Sequence, residues 1–306
     1  MENLEIGRLL RKAQVLADDI RLTELVDTDR AFRRVQQKAQ ATRRRQHREL
    51  LMRYAAMLTL PLLLTSSVFG YLYFRQPETV VQYAEVTASA GSVIRYELPD
   101  RSVVWLNAGS KLRYPTVFQV DRRDVELDGE AYFEVKADPE HPFYVSTADG
   151  PTVYVYGTKF NVSAYADDAS VSTVLEQGKV NVLLSPQETA VMHPGEQLVY
   201  DKVDGRWSKN KVDVYEKVAW KDGKLVFRNA SLEEIFKKLS RHFNVEIDFH
   251  NHVKKDLHYR ATFRQETLPQ IMDYLSRSGN LKWSVEEAVQ QADGTLSKKK
   301  YIVNTY

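Results

Sequence analysis

Three histidines crowd into the string FHNHVKKDLH: His250, His252 and His258. Imidazole nitrogens are common transition-metal ligands, so this is where nearby side chains would most readily assemble a metal site. Lys254 and Lys255 sit inside the string and would repel a cation. It also falls in a turn between two repeated units, so it reads as a solvated loop with no metal. Glu130 and Glu134, four apart on an expected strand, share a face. Paired carboxylates serve acid–base hydrolysis, but at such strand positions they are more often simply solvated. The chain has no cysteine, which excludes disulfides, thiolate metal sites and a thiol nucleophile. Phosphate loops, dinucleotide fingerprints, nucleophile elbows and HExxH are missing too. The chemistry points away from a turnover enzyme, and no cofactor is expected.

The elements that must position these residues divide at YAAMLTLPLLLTSSVFGYLYF, residues 54–74, a run of 21 residues without a charge. As a helix it spans about 31 Å, close to the hydrocarbon thickness of a bilayer. It begins too far from the N-terminus and is too long for a cleaved signal peptide, so a retained single span is expected. Arg43, Arg44, Arg45, Arg48 and Arg53 precede it and only Arg75 follows closely, which puts the N-terminus in the cytoplasm. Tyr54, Tyr71, Tyr73 and Phe74 suit the two interfaces. Pro61, Gly70 and the intervening Ser66 and Ser67 are poor helix formers in water but are tolerated in membranes. They would also suit local unwinding for an intramembrane protease.

Residues 1–53 carry 13 Lys/Arg against 8 Asp/Glu, and the remainder 30 against 33. In the basic part, Leu9, Leu10, Ala13, Leu16, Ala17 and Ile20 recur at helical spacing over residues 3–20, opposite charged residues. A second helix is expected from an N-cap at Asp27 through Phe32 and Val35. Such a segment builds no core of its own and must borrow an apolar surface from a partner. No aromatics interleave the arginines, so nucleic acid is not the expected partner.

From Val80 to Val203 short runs of alternating apolar residues, punctuated by Pro99-Asp100, Asp128-Gly129, Asp149-Gly150 and Pro194-Gly195, predict an all-β sandwich, barrel or roll. After a looser stretch over 204–221 comes a repeat of period 36: FRNASLEEIFKKLSRHFNVEI matches FRQETLPQIMDYLSRSGNLKW at Phe227/Phe263, Leu232/Leu268, Ile235/Ile271, Leu239/Leu275 and Asn244/Asn280. Ser231 with Glu234 and Thr267 with Gln270 form capping boxes. Each copy predicts strand, helix, strand, and two copies packed on one sheet with YIVNT as the closing strand predict a small α+β domain.

The strings LPDRSVVWLNAGSKLRYPTVF, RDVELDGEAYFEVKADPEHPFYV and VYGTKFNVSAY resemble the periplasmic domain of FecR-like anti-sigma factors, and the repeat resembles the short secretin/TonB N-terminal type of domain. The resemblance departs at Arg101, where the family usually has glycine, so a different turn is expected there. The tail is also short and lacks the tryptophans many relatives carry. The implied layout is a cytoplasmic anti-sigma tail (1–53), a transmembrane helix (54–74), a linker (75–85), a FecR-like all-β domain (86–203), a linker (204–221) and the α+β domain (222–306). The resemblance implies an inner-membrane protein, N-terminus cytoplasmic and C-terminus periplasmic. It would relay a signal from the N-terminal signalling domain of an outer-membrane TonB-dependent transducer to an extracytoplasmic-function sigma factor.

Leu9, Leu10, Leu16 and Ile20 are then the candidate sigma-binding residues. Edge-strand addition at Tyr259, Ala261 and Phe263, or at Tyr301 and Val303, is the candidate transducer contact. Some members of the family cleave themselves at a Gly-Thr bond resembling Gly157-Thr158, which is the candidate here; a glycine bulge beside a strand is the plainer reading. The alternative function is a membrane-anchored glycan-binding or envelope-scaffold protein, for which Trp105, Tyr132 and Tyr144 would have to supply an aromatic face.

Overall fold

The computed structural model describes residues 2–24, 28–74, 81–253, 257–291 and 294–306. Asp27, Arg75, Lys254 and Lys255 lie outside the described residues, as do the side chains of Ile20, Val35, Arg43, Arg44, Arg45 and Arg48. The chain forms two compact units, Met1–Thr79 and Val80–Tyr306.

The first unit is two helices, α1 (Glu2–Glu24) and α2 (Thr28–Phe74). The side chains from Arg8 to Asp19 on α1 are all exposed. The basic stretch and the apolar run, separate segments in the expected layout, are one continuous helix of 47 residues. Its apolar part, Leu51–Phe74, is long enough to cross a membrane and buries nothing within the chain. α2 runs through Pro61; Thr65 Oγ1 donates to the carbonyls of Pro61 and Leu62 at 2.9 and 3.0 Å. Such back-bonding satisfies a hydroxyl inside the helix.

The second unit opens with thirteen strands: β1 (Tyr83–Thr87), β2 (Ile94–Glu97), β3 (Val103–Leu106), β4 (Lys111–Pro115), β5 (Arg123–Glu134), β6 (Phe143–Thr147), β7 (Thr152–Val155), β8 (Lys159–Ala164), β9 (Ser170–Gln177), β10 (Val180–Ser185), β11 (Glu188–Met192), β12 (Glu196–Asp201) and β13 (Trp207–Lys211). They form two layers that share β5. Its first half pairs with β4 and, in parallel, β6; its second half pairs with β3 and β8. One layer runs β11-β10-β7-β6-β5-β4-β1 and the other β13-β12-β9-β8-β5-β3-β2. Between them Phe133, Phe143 and Phe160 are fully buried, Phe133 stacked on Phe160 at 5.1 Å. Each contributes about 1.5–3 kcal/mol by leaving water.

Residues 204–221 are not a loose linker. After β13 come α3 (Val214–Val218), capped by Asp213, and a 3-10 turn (Ala219–Asp222). This strap lays Val218 and Trp220 against Tyr132, with Trp105 and Val93 beside them.

The C-terminal domain comprises β14 (Leu225–Ala230), α4 (Leu232–Phe243), β15 (Glu246–His250), β16 (Tyr259–Phe263), α5 (Leu268–Gly279), β17 (Leu281–Glu286) and β18 (Lys300–Thr305). Both helices start in capping boxes, at Ser231 and Thr267, and end on the repeated asparagines Asn244 and Asn280 in the left-handed conformation. The strands make two sheets rather than one: β14 with β16, and β15-β18-β17. The closing strand β18 is therefore central, parallel to β15 and antiparallel to β17. A chain that pairs on both sides leaves no backbone edge to offer.

Two turn expectations also change. Arg101 adopts φ +68°, the left-handed conformation a glycine would take, so the turn keeps its shape at a steric cost of about 1–2 kcal/mol. Asp128-Gly129 is no turn but the corner within β5 where it passes from one layer to the other. Gly129 has φ +108°, and a methyl there would lie 2.6 Å from Ser110 Cβ and 2.7 Å from Ser110 Cα. Ser110 cannot retreat easily, because it is fully buried and its Oγ accepts the Glu130 N–H at 2.8 Å. Gly129→Ala is expected to destabilise the β domain by about 2–4 kcal/mol. Urea unfolding followed by tryptophan fluorescence measures it, and an unshifted midpoint would remove the corner constraint.

Candidate functional site

Strand alternation sends Ala131 and Phe133 of β5 into the core and Glu130, Tyr132 and Glu134 outward. One outward row crosses the layer in register: Trp105, Tyr132, Asn161, Val174 and Gln197. Sequence reasoning treats such a polar face as solvated. Here the strap and α4 cover it. Trp220 Nε1 donates to Asn161 Oδ1 at 3.2 Å, and Lys221 Nζ lies 5.7 and 5.2 Å from the ring centres of Trp105 and Tyr132. Tyr132 is 1% exposed and donates a short bond to Glu176. The aromatic face required for glycan binding is thus closed over at Trp105 and Tyr132, while Tyr144 lies on β6 in the opposite layer.

The two domains meet at Arg241, from the last turn of α4. Its guanidinium lies over the Tyr165 ring at 3.9 Å and donates to Asp168 Oδ2 at 3.1 Å, to Asp168 Oδ1, and to Asp167 Oδ1 at 2.8 Å. Lys237, one helical turn earlier, reaches Asp168 at 2.5 Å. Tyr165 is held from behind, its hydroxyl donating to Ala108 O at 3.0 Å. Burial opposes ionisation of Asp168, but the bonds from Arg241 and Lys237 outweigh it and hold its pKa below the ordinary carboxylate value. Arg241 matches Arg277 of the second repeat, so the sequence signals a repeated arginine but not that, among the described residues, only the first copy meets an aspartate pair.

Beside this clamp is a cleft of about 270 Å³ whose lining includes Asn107, Glu130, Asn161 and Gln197 from the β domain and Glu234, Lys237 and Lys238 from α4. Glu130 is not a freely solvated carboxylate: its oxygens accept from Asn107 at 2.7 Å and Asn161 at 2.9 Å, and burial raises its pKa against those bonds. Glu134, by contrast, forms a half-exposed pair with Lys159 at 3.1 Å.

The remaining candidate residues are scattered. Leu9, Leu10 and Leu16 are 64–67% exposed on α1, and the side chain of Ile20 lies outside the described residues. Tyr259, Ala261 and Phe263 sit on β16, which has β14 on one side and no strand on the other among the described residues. Tyr301 and Val303 are withdrawn as edge candidates: they are buried on the central strand β18. Gly157 and Thr158 lie between β7 and β8, where a methyl on Gly157 would fall 2.6 Å from Ala137 Cα. Thr158 is 4% exposed and its hydroxyl donates to Lys179 O at 3.0 Å. His250 contacts Asp248 at 3.3 Å, and no group of three His, Cys, Asp or Glu side chains is arranged for a metal among the described residues.

Arg241→Ala is expected to weaken the domain contact by about 1–3 kcal/mol, since it leaves Asp168 with Lys237 alone. Limited proteolysis between residues 204 and 224 should accelerate several-fold; an unchanged rate would mean that Arg241 does not hold the contact. A lowered carboxylate pKa contributes stability that is present above the ordinary value of 3.8 and lost as pH falls through the folded value. Acid should therefore loosen the parent more than the variant.

The family described as FecR protein matches residues 84–181, and that described as FecR, C-terminal matches residues 224–290. No match is found among curated proteins. Two crystal structures of a candidate anti-sigma factor from Parabacteroides distasonis are similar. One has 30% identity and a TM-score of 0.64 over 73% of this chain and 99% of the other; the second has 29% identity and a TM-score of 0.64 over 74% and 100%. The likeness covers nearly all of both crystallised chains, and with one family match on each side of the strap, the chain belongs to the FecR-like anti-sigma factors.

Proposed function

We propose that this regulator is a single-pass inner-membrane anti-sigma factor, with α1 and the start of α2 in the cytoplasm and residues 81–306 in the periplasm. The observation that carries the reading is the bare apolar segment Leu51–Phe74, which stands between an exposed tail and the family's folded domains. The arginines before it orient the chain by the excess of positive charge on the cytoplasmic side. The tail binds an extracytoplasmic-function sigma factor in a groove that accepts Leu9, Leu10, Leu16 and Ile20. The C-terminal domain receives the N-terminal signalling domain of a TonB-dependent transducer of the outer membrane, which adds a strand at the open edge of β16 through Tyr259, Ala261 and Phe263. An intramembrane protease is a fitting partner for the Pro61-containing span.

A charged residue in an apolar groove is expensive, so Leu9→Asp with Leu16→Asp is expected to lower sigma affinity by at least about 2–3 kcal/mol and derepress the target genes. Membrane fractionation checks that the variant stays anchored. Continued repression by the anchored double variant would sink this face of α1.

Single-turnover self-cleavage would act at Gly157-Thr158. Thr158 Oγ1 attacks the Gly157 carbonyl carbon, the C–N bond breaks to leave an ester and a free amine, and water then opens the ester. The close approach to Ala137 also accounts for the glycine without cleavage. Mass spectrometry of the purified chain distinguishes the two. Two fragments meeting after Gly157, absent in Thr158→Ala, are expected from cleavage; one intact chain after prolonged incubation leaves the glycine a packing role alone.

A further inference from the structure

We propose that the cleft between the β domain and α4 binds a small zwitterion of α-amino-acid size, with Glu130 receiving its ammonium group and Lys238 its carboxylate.

Most charges in the cleft already have partners. Asp168 is bonded by Lys237 and Arg241. Lys217 pairs with Glu216 at 3.1 Å, and Glu234 accepts the Ser231 N–H at 3.2 Å to complete the α4 cap. Two charges remain. Glu130 has only neutral amide donors, from Asn107 and Asn161. Lys238 has no hydrogen-bonding acceptor among the described residues; its ammonium lies 5.6 Å from the centre of the Phe227 ring. Glu130 sits on the floor of the cleft and Lys238 on its helical wall, each within electrostatic reach of the other but without direct contact. Burial raises the pKa of Glu130, and burial together with Lys217 lowers that of Lys238, while the Lys238 side chain is exposed along the open cleft. A ligand that carries both opposite charges relieves both groups at once. A simple anion or cation relieves one.

Size and wall chemistry narrow the class. A volume of about 270 Å³ falls just below the range of drug-sized pockets, roughly 300–1,000 Å³, and suits a molecule of amino-acid dimensions. Val174, Trp220, Leu225 and Val226 add apolar surface, so a short aliphatic side chain is accommodated. Because the floor belongs to β5 and β8 and the wall to α4, an occupied cleft favours the seated arrangement of the two domains.

Calorimetric titration of the full chain in detergent micelles tests this, with glycine and both hands of alanine and valine as probes and acetate and methylamine as single-charge controls. At least one amino acid should bind saturably, and both controls at least about tenfold more weakly. Lys238→Met and Glu130→Gln should each weaken binding about tenfold or more, while Lys238→Arg stays within a few-fold of the parent. A second readout needs no variant: the bound amino acid should slow acetylation of Lys238 several-fold, read by peptide mass spectrometry. Absence of saturable binding by any of these amino acids, acetate binding as tightly as they do, or unprotected Lys238 in the presence of a bound probe would each overturn the proposal.

Discussion

The periplasmic-type unit depends on one strand lying in two sheets. β5 cannot continue straight from one layer into the other; it must turn at Gly129, where a positive φ and the buried Ser110 exclude any side chain. Everything outside the sandwich inherits its position from that corner. It sets the phase of Glu130, Tyr132 and Glu134, which follow at alternate positions on the outward face. It thereby decides which groups meet the strap and α4. Ser110 also fixes the first residue after the corner, through its bond to the Glu130 amide. The carboxylate in the cleft is thus tied to the backbone geometry of the fold rather than to a flexible loop.

The clamp at Arg241 works differently. Its ion pairs are partly accessible to water, Arg241 at 22% and Asp168 at 17% of side-chain surface, so Coulomb attraction alone is worth little. Its contribution comes from geometry: a planar guanidinium bonds two adjacent aspartates and stacks on a ring that is itself held by Ala108 and buried. Lysine at this position would keep the charge and lose the fork. The domains are therefore joined by a directional contact together with the largely apolar strap at Trp220, a combination that seats them in one orientation without merging their cores.

The parts of this fold legible in the sequence are those governed by local rules. The helices of the repeat announce themselves through two capping boxes and two terminal asparagines, all four found where the pattern puts them. The apolar run and the strand alternation are similarly local. What stayed hidden depends on non-local pairing. Asp-Gly is a turn dipeptide in most contexts, and nothing near Asp128 reveals that its neighbour sits at the seam of two layers. The closing strand reads as an edge because it comes last, yet its parallel pairing with β15 makes it central. Polar outward residues such as Asn161 and Gln197 look solvated until the strap and α4 cover them. Trp220, in a stretch that lacks periodicity, was the available signal that the stretch is packed.

A constraint on signalling follows from α2. The basic segment and the apolar segment form one helix of 47 residues, and the described side chains of α1 are exposed. A lone helix surrounded by lipid has no fixed neighbour against which a push or rotation can be referred, so its two faces are energetically alike. A conformational change passes across it only if some partner binds the two states differently. In the proposed relay the described part of the tail supplies no such difference, because none of its described side chains is buried. The free energy that switches the sigma factor must therefore come from what meets the chain at its ends, a transducer at the folded domains and a sigma factor or protease at the tail. In that proposed relay the helix between them would set which compartment each end occupies and how many copies of the tail are available, and availability is the quantity that a single span can control.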